Sequence, residues 1–440
     1  MRIVSVKTQK LFGVFNHSID FKKDRITIIY GPNGIGKTIL LQMIHGFFNR
    51  RMKIFHKIPF SSLRINLDDG AEILIEKLKE KRAEGDIDIV TIKHSKEKDV
   101  CRLLPFVGKN LPVMLNFIEQ NVPEIIRIGA NQWLSRQTNQ VFSPIQLIDN
   151  FENLLSQVFP NQPGDKLPKW ILDLPKVLPV YFIKTDRLTG NRQLQQIQGP
   201  VPSNSLIPSV VEYSRELATR IDQTLAMSAQ ISSNMDSTFP NRLIETDLQE
   251  HTSSVSEDEI RIELKKIEEK RQRLVTAGLL EKEASTIQIP STTLKPLTLN
   301  ALAIYSKDVQ QKLNVFDELL DKIEVFQTIL NNRLLFKKFS VAKSKGFIFR
   351  NDLGDIPSDS LSSGEQHEIV LFYQLLFRLK ASSLILIDEP EISLHVAWQQ
   401  EFLNDLINIS RVSNIEALIA SHSPDIINQR WDLTVELKGE

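Results

Sequence analysis

One cysteine, Cys101, stands in 440 residues. That excludes an internal disulfide framework and a zinc site built on cysteines, and it leaves Cys101 to be read as a buried, idle thiol. No apolar run reaches the ~18 residues that a membrane-spanning helix needs. The first residues, MRIVSVKTQKLFG, lack the apolar core of a secretory signal, so a cytoplasmic protein with no membrane partner is expected. Net charge is missing as well: 54 Lys and Arg balance 54 Asp and Glu. With 41% apolar and 25% charged residues the chain has a globular composition, which excludes disorder as its dominant state.

The zero hides a split. Residues 1–60 carry eleven Lys and Arg against two acids, whereas residues 381–440 carry three against ten. The ends differ in sign, and either a binding surface or mutual neutralisation inside one fold must account for it.

Alternation over 2–7 and the β-branched run RITIIY at 25–30 read as strands. A helix is expected from Thr38 to about Phe48, short strands at 62–67, 71–77 and 87–93, a mainly helical stretch over 110–160, and a buried strand at Val177–Ile183. Residues 184–208 are polar and rich in glutamine and proline, as a loop would be. Helical stripes follow: Leu217, Ile221 and Leu225; then Ile260, Leu264, Ile267, Arg271 and Leu274 behind a Ser256–Glu259 capping box; then Val309, Leu313, Phe316, Leu320 and Ile323. Each lasts about two heptads, so coiled-coil-like packing and an ordinary helical bundle both fit. Residues 233–256 read as a polar, mobile connection, and a longest helix of roughly 35 residues would span about 50 Å. Residues 335–350 read as a hairpin turning at Lys343-Ser344-Lys345-Gly346. Strand–helix–strand alternation to the end implies a largely parallel sheet.

Gly31-Pro32-Asn33-Gly34-Ile35-Gly36-Lys37-Thr38 fits G-x-x-x-x-G-K-[ST] between a strand and a helix. Asn33, Gly34 and Gly36 belong to a loop whose backbone N–H groups can wrap phosphate, Lys37 should reach the β- and γ-phosphates of ATP, and Thr38 should ligate Mg²⁺. Ser383–Pro390, SLILIDEP, is a strand ending in two acids: Asp388 suits Mg²⁺ and Glu389 suits the attacking water. Lys37 and Asp388 are 351 residues apart, so something large is inserted between them.

Leu361-Ser362-Ser363-Gly364-Glu365 opens a helix 24 residues before Asp388, and His422 follows a strand 33 residues after Glu389. Together with GPNGIGKT and LILIDEP, the set resembles an ABC-class ATPase of the SMC, RecF and OLD-like branch. The resemblance implies an α/β, P-loop head of mixed or parallel sheet and helices, interrupted by a helical, partly coiled-coil-like arm. It divides the chain into an N-terminal ATPase lobe (1–199), an arm (200–334) and a C-terminal ATPase lobe (335–440). It implies that Ser362, Ser363 and Gly364 bind the γ-phosphate held by a second head, which makes a homodimer, or a higher homo-oligomer, part of the site. It gives Glu389, His422 and Lys37 catalytic roles. Ser393-Leu394-His395 takes the place of the D-loop, with Leu394-His395 where Leu-Asp is common. Where the family's Q-loop glutamine is expected, the chain reads VYFIKTDR; Thr185 or Asp186 for metal or water and Arg187 for phosphate stay open against a charged strand end.

The stretch FKKFSVAKSKGFIF…LSSGEQHEIVLFYQLLF…LILIDEPEISLHVAWQ…SHSPDII, with YFIKTDRL, is similar to the ATPase subunits of the anti-phage systems PARIS (AriA) and Septu (PtuA) over roughly 1–195 and 335–440. OLD nucleases carry a Toprim domain after the ATPase, and this chain ends eighteen residues past His422. The resemblance therefore implies a separate nuclease effector, Toprim-like or HNH-type, and a phage-encoded trigger. A DNA-binding SMC/RecF-like repair or clamp ATPase is the alternative, favoured by the basic first sixty residues. A scaffold that binds ATP without turnover would have no use for Glu389.

Overall fold

The computed structural model describes residues 1–82, 85–103, 111–136, 140–151, 154–155, 167–184, 209–248, 256–281, 294–392 and 396–438. The chain groups into two compact units: Met1–Ile183 with Ser382–Glu389 and Glu416–Glu440, and Lys184–Ala381 with Pro390–Ile415.

The first unit is built on two sheets. One has five strands in the order Val180–Lys184, Leu384–Asp388, Glu416–Ala420, Ile26–Tyr30 and Thr434–Glu436. The pairings from Leu384 onward are all parallel. These strands read as continuous apolar runs because both sheet faces are covered, and ITIIY and LILID each have four consecutive buried residues. The second sheet is antiparallel and six-stranded, ordered Phe15–Asp20, Ile3–Leu11, Ser62–Leu67, Glu72–Arg82, Gly85–His94 and Cys101–Leu103. Its strands alternate instead, as SLRINL shows. The helix Lys37–Phe48 contributes Leu40, Leu41, Met43, Ile44, Phe47 and Phe48 to the core shared with both sheets. Each phenylalanine buried there stabilises the fold by about 2–3 kcal/mol. Cys101 is buried in that core.

The parallel sheet draws the two oppositely charged ends together, since Ile26–Tyr30 lies between Glu416–Ala420 and Thr434–Glu436. Arg2 pairs with Glu416. Burial pushes Glu416 up from the ordinary carboxylate range while Arg2 and Arg25 pull it down. Lys7, Lys10, Arg50, Arg51 and Lys57 stand on the surface.

The mainly helical reading of 110–160 missed a small sheet among the described residues. Helix Leu111–Asn121 is followed by a three-stranded sheet of Ile125–Gly129, Gln132–Ser135 and Val141–Phe142, and then by helix Pro144–Asn150. These elements close their own core around Ile118, Trp133 and Leu147, and Trp133 Nε1 donates to Glu119 at 2.6 Å. Strands of two to five residues are too short to show a period.

The second unit holds the helices Ser209–Leu248, Glu257–Thr276, Pro296–Asn314 and Asp317–Arg333, followed by the hairpin Lys338–Ala342/Gly346–Asn351. The expected loop from 233 is instead helix as far as Leu248, and the helix has 40 residues, spanning about 60 Å. Its polar sequence and Pro240 disguise it. Hydroxyls there bond back to the preceding turn, Thr238 to Asn234 for example, and Arg242 makes two 2.6 Å bonds to Asp308 on Pro296–Asn314. The Ser256–Glu259 capping box is present. The stripe Val309–Ile323 is buried throughout but crosses from one helix to the next at Val315 and Phe316. Among the described residues no helix is long and apolar enough to cross a membrane.

Arg333, at the end of the fourth of these helices, is buried with two acids. Its Nη1 donates to Glu368 at 2.8 Å and its Nε to Asp405 at 3.0 Å. One cation facing two carboxylates leaves an excess negative charge, and burial pushes Glu368 up to about 7 against the pull of Arg333. An unfolded glutamate, with its ordinary value near 4.5, releases its proton first. The folded state therefore binds more protons between those two values, and stability falls as pH rises through that window. Glu368→Gln should remove this dependence. Its melting temperature should match the parent at pH 4.5 and exceed it at pH 8, by the equivalent of about 3 kcal/mol at most. A parallel pair of melting-temperature curves would contradict the assignment.

Candidate active site

The first unit carries a phosphate loop between strand Ile26–Tyr30 and helix Lys37–Phe48. Gly31 and Gly36 are there for different reasons. A Cβ at Gly31 would stand 2.5 Å from the Leu437 carbonyl oxygen, and one at Gly36 would meet Leu11 Cδ2 at 2.6 Å. Gly36 also has φ 96°, in the left-handed region, as the N-cap of the helix. A glycine there brings no side-chain cap, and the first turn holds no acid. The helix N-terminus is thus left positive, as an anion site needs. Lys37 Nζ bends back to donate to the carbonyls of Gly31 and Pro32, at 2.9 Å each, which puts the ammonium over the loop.

Thr38 Oγ1 donates to Asp388 Oδ1 at 3.0 Å, so the fold joins two residues that are 350 positions apart. A hydroxyl and a carboxylate oxygen at that separation fit Mg²⁺, which takes few protein ligands and fills its octahedron with phosphate oxygens and water. Among the described residues no three His, Cys, Asp or Glu side chains converge as a metal cluster. Glu389 follows with φ 48°, a left-handed conformation that costs a non-glycine residue of order 1–3 kcal/mol. Its N–H donates to the Ala420 carbonyl at 2.8 Å, fixing the turn against the neighbouring strand. Its carboxylate lies 3.9 Å from His422 Nε2, and both side chains are about one-third exposed (36% and 31%).

Lys37, Thr38, Asp388, Glu389 and His422 therefore share one unit, with Asn33 and Gly34 exposed on the loop. Ser362, Ser363 and Gly364 belong to the second unit, where they are exposed at the start of helix Ser363–Tyr373. Thr185, Asp186, Arg187 and Ser393-Leu394-His395 lie outside the described residues.

Two residues at this site had no motif to reveal them. His17 is buried in strand Phe15–Asp20, and its Nε2 donates to the Ile35 carbonyl of the phosphate loop at 2.8 Å. Nδ1 finds no partner among the described residues. The signal was its inward phase with Ile19. His17→Ala should cost about 1–3 kcal/mol of stability and raise the KM for ATP with little change in kcat; an unchanged KM would remove His17 from the loop's support. Phe12, with φ 54° and 41% exposed, sets its ring against the loop: a Cβ at Gly36 would come 3.1 Å from its Cε2.

A strand–loop–helix cradle joined to an acid-tipped parallel strand defines a P-loop ATPase. The profile of the family described as "AAA ATPase domain" (AAA_15) matches residues 1–427, and the chain belongs to that family. It is an ATP hydrolase. Among solved structures, an SMC head domain from Thermotoga maritima is similar at 11% identity, over 97% of this chain and 91% of that one, with a TM-score of 0.30. An SMC head bound to the C-winged helix domain of ScpA is similar at 9% identity, over 97% of this chain and 91% of that one, with a TM-score of 0.33.

Proposed function

We propose that this ATPase is the cytoplasmic sensor and scaffold subunit of an anti-phage complex, holding a separate nuclease effector until a phage-encoded factor arrives. Two heads sandwich two ATP–Mg²⁺. Asn33, Gly34 and Gly36 wrap the phosphates with their N–H groups, and Lys37 offsets their charge. Thr38 and Asp388 would hold Mg²⁺, which supplies further charge neutralisation when bound. Glu389 orients and deprotonates the attacking water, His422 contacts the γ-phosphate, and Ser362, Ser363 and Gly364 close the site from the other copy. Phe12 offers an apolar ring on which a base can stack. Thr185 is assigned to the nucleotide or its metal. The observation that carries the sandwich is the exposed Ser362–Gly364 helix start, which suits an anion delivered from outside. The defence role rests on the resemblance to the PARIS and Septu subunits.

The test is co-expression with the neighbouring gene product and phage challenge. A nuclease that co-purifies with the ATPase and is released or activated on infection is the expected result. A second reading, a DNA-binding repair or clamp ATPase, is favoured by the exposed Lys7, Lys10, Arg50, Arg51 and Lys57. It requires DNA affinity that falls steeply with salt and an ATPase rate raised by DNA. Both features without a nuclease partner would decide for it.

A further inference from the structure

The helix that begins at Ser363 carries an acid in its first turn, where an incoming phosphate would meet it. Ser362 is its N-cap, and Glu365 completes a capping box. Glu365 Oε2 accepts from Ser362 N at 2.8 Å and from Ser362 Oγ at 2.9 Å. The serine hydroxyl is thus turned towards a carboxylate, and that carboxylate would repel a phosphate docking at the same helix end. Lys337 stands against it. Its Nζ donates to Glu365 Oε1 at 2.7 Å and to Oε2 at 2.8 Å, and both side chains are mostly buried. The nearby Arg333 is committed to Glu368 and Asp405. Lys337 is therefore the cation bonded to Glu365 among the described residues.

We infer that Lys337 is a positioning residue for ATP capture in trans: it offsets the Glu365 charge and holds that carboxylate in the cap, so that Ser362 can turn its hydroxyl to a γ-phosphate presented by a second copy of this chain. The inference rests on the sandwich reading above. It has direct support in the bonding of Glu365. Burial alone would raise this carboxyl, yet the Lys337 ammonium and the Ser362 N–H and hydroxyl keep it below the ordinary glutamate range. The capping box and the helix dipole favour this anion in the free protein, and the Lys337 ammonium on both its oxygens offsets the charge that an incoming phosphate would meet. The rival role is mechanical. Lys337 directly precedes the strand Lys338–Ala342, and the ion pair would then simply brace that hairpin against the helix.

The two roles separate in a double-substitution cycle. Dimerisation of the full chain is followed by sedimentation across a titration of ATP, alongside steady-state ATPase. Lys337→Met should raise the ATP concentration for half-maximal dimerisation, and the KM, by about tenfold, the scale of one partly screened charge–charge interaction; kcat should change little. Lys337→Arg should stay near the parent. Glu365→Gln keeps an acceptor for Ser362 N but removes the charge, so it should stay near the parent as well. Lys337→Met with Glu365→Gln should return to within about twofold of Glu365→Gln alone. A bracing role predicts the reverse: Glu365→Gln as impaired as Lys337→Met, and no rescue in the double variant. Either result overturns the inference while the parent's ATP-dependent dimer leaves the sandwich intact. Should Lys337→Met not fold, Glu365→Gln and the double variant still decide when each is measured against the parent: both near it under the inference, both impaired under bracing. A parent that shows no ATP-dependent dimer at all overturns the sandwich, and this inference with it.

Discussion

Lys37→Ala should abolish ATP binding at concentrations that saturate the parent, a loss of at least about a hundredfold in affinity. The side chain is almost wholly buried, and its ammonium is held over the loop by the Gly31 and Pro32 carbonyls. Those acceptors are neutral. A triphosphate would give the same ammonium charge-assisted bonds, each contributing about 1.5–3 kcal/mol net. Two such bonds lost account for the hundredfold at about 1.4 kcal/mol per tenfold. The same substitution removes both bonds to the loop in the free protein, at about 1 kcal/mol each, so a small drop in melting temperature should accompany it. Lys37→Arg separates the effects, since it keeps the charge while its fork cannot fold back in the same way. Binding is read by titration calorimetry with Mg²⁺–ATP. Parental affinity in Lys37→Ala would mean that the phosphates do not lie on this loop.

The phosphate loop and the acid-tipped strand were legible because each is a contiguous string whose meaning depends on its immediate flanks. Their union was legible only through order. Nothing local to Thr38 shows that its hydroxyl meets Asp388, and the 3.0 Å bond exists because Leu384–Asp388 and Ile26–Tyr30 both pair with Glu416–Ala420 in one parallel sheet. What could not be read is whatever depends on a side chain crossing between elements. His17 looked like one polar residue in an alternating strand; its role depends on where the Ile35 carbonyl points. Lys337 looked like one of several lysines before a hairpin. The long helix Ser209–Leu248 failed for another reason: its stability comes from hydroxyls bonding to the preceding turn and from Arg242 on Asp308, and neither leaves an apolar period. The charge split was half legible. It foretold that the ends join, as Arg2 on Glu416 does, but not how much of the basic lobe remains on the surface.

Glu389→Gln should leave ATP binding near the parental level and lower hydrolysis by about 10²–10⁴-fold, the range a general base contributes. The change is close to isosteric, and glutamine keeps a Cβ, so the left-handed backbone at φ 48° is no more strained than before. The Glu389 N–H to Ala420 bond, which fixes the turn, is untouched. What is lost is the ability to take a proton from water. The charge facing His422 Nε2 at 3.9 Å goes with it. With binding intact and turnover blocked, ATP-bound dimers should accumulate, visible by sedimentation with ATP and Mg²⁺ and absent with ADP. His422→Ala provides the contrast: on the proposed roles it would remove one contact to the γ-phosphate and leave Glu389 in place, so its loss of rate should be smaller, about tenfold for one hydrogen bond. If Glu389→Gln hydrolyses ATP at the parental rate, the water is activated by another group, and the strained turn at residue 389 needs a different explanation. If the rate falls but no dimer accumulates, Glu389 keeps its role as base and the sandwich, with Ser362 as its second half, is the part to be given up.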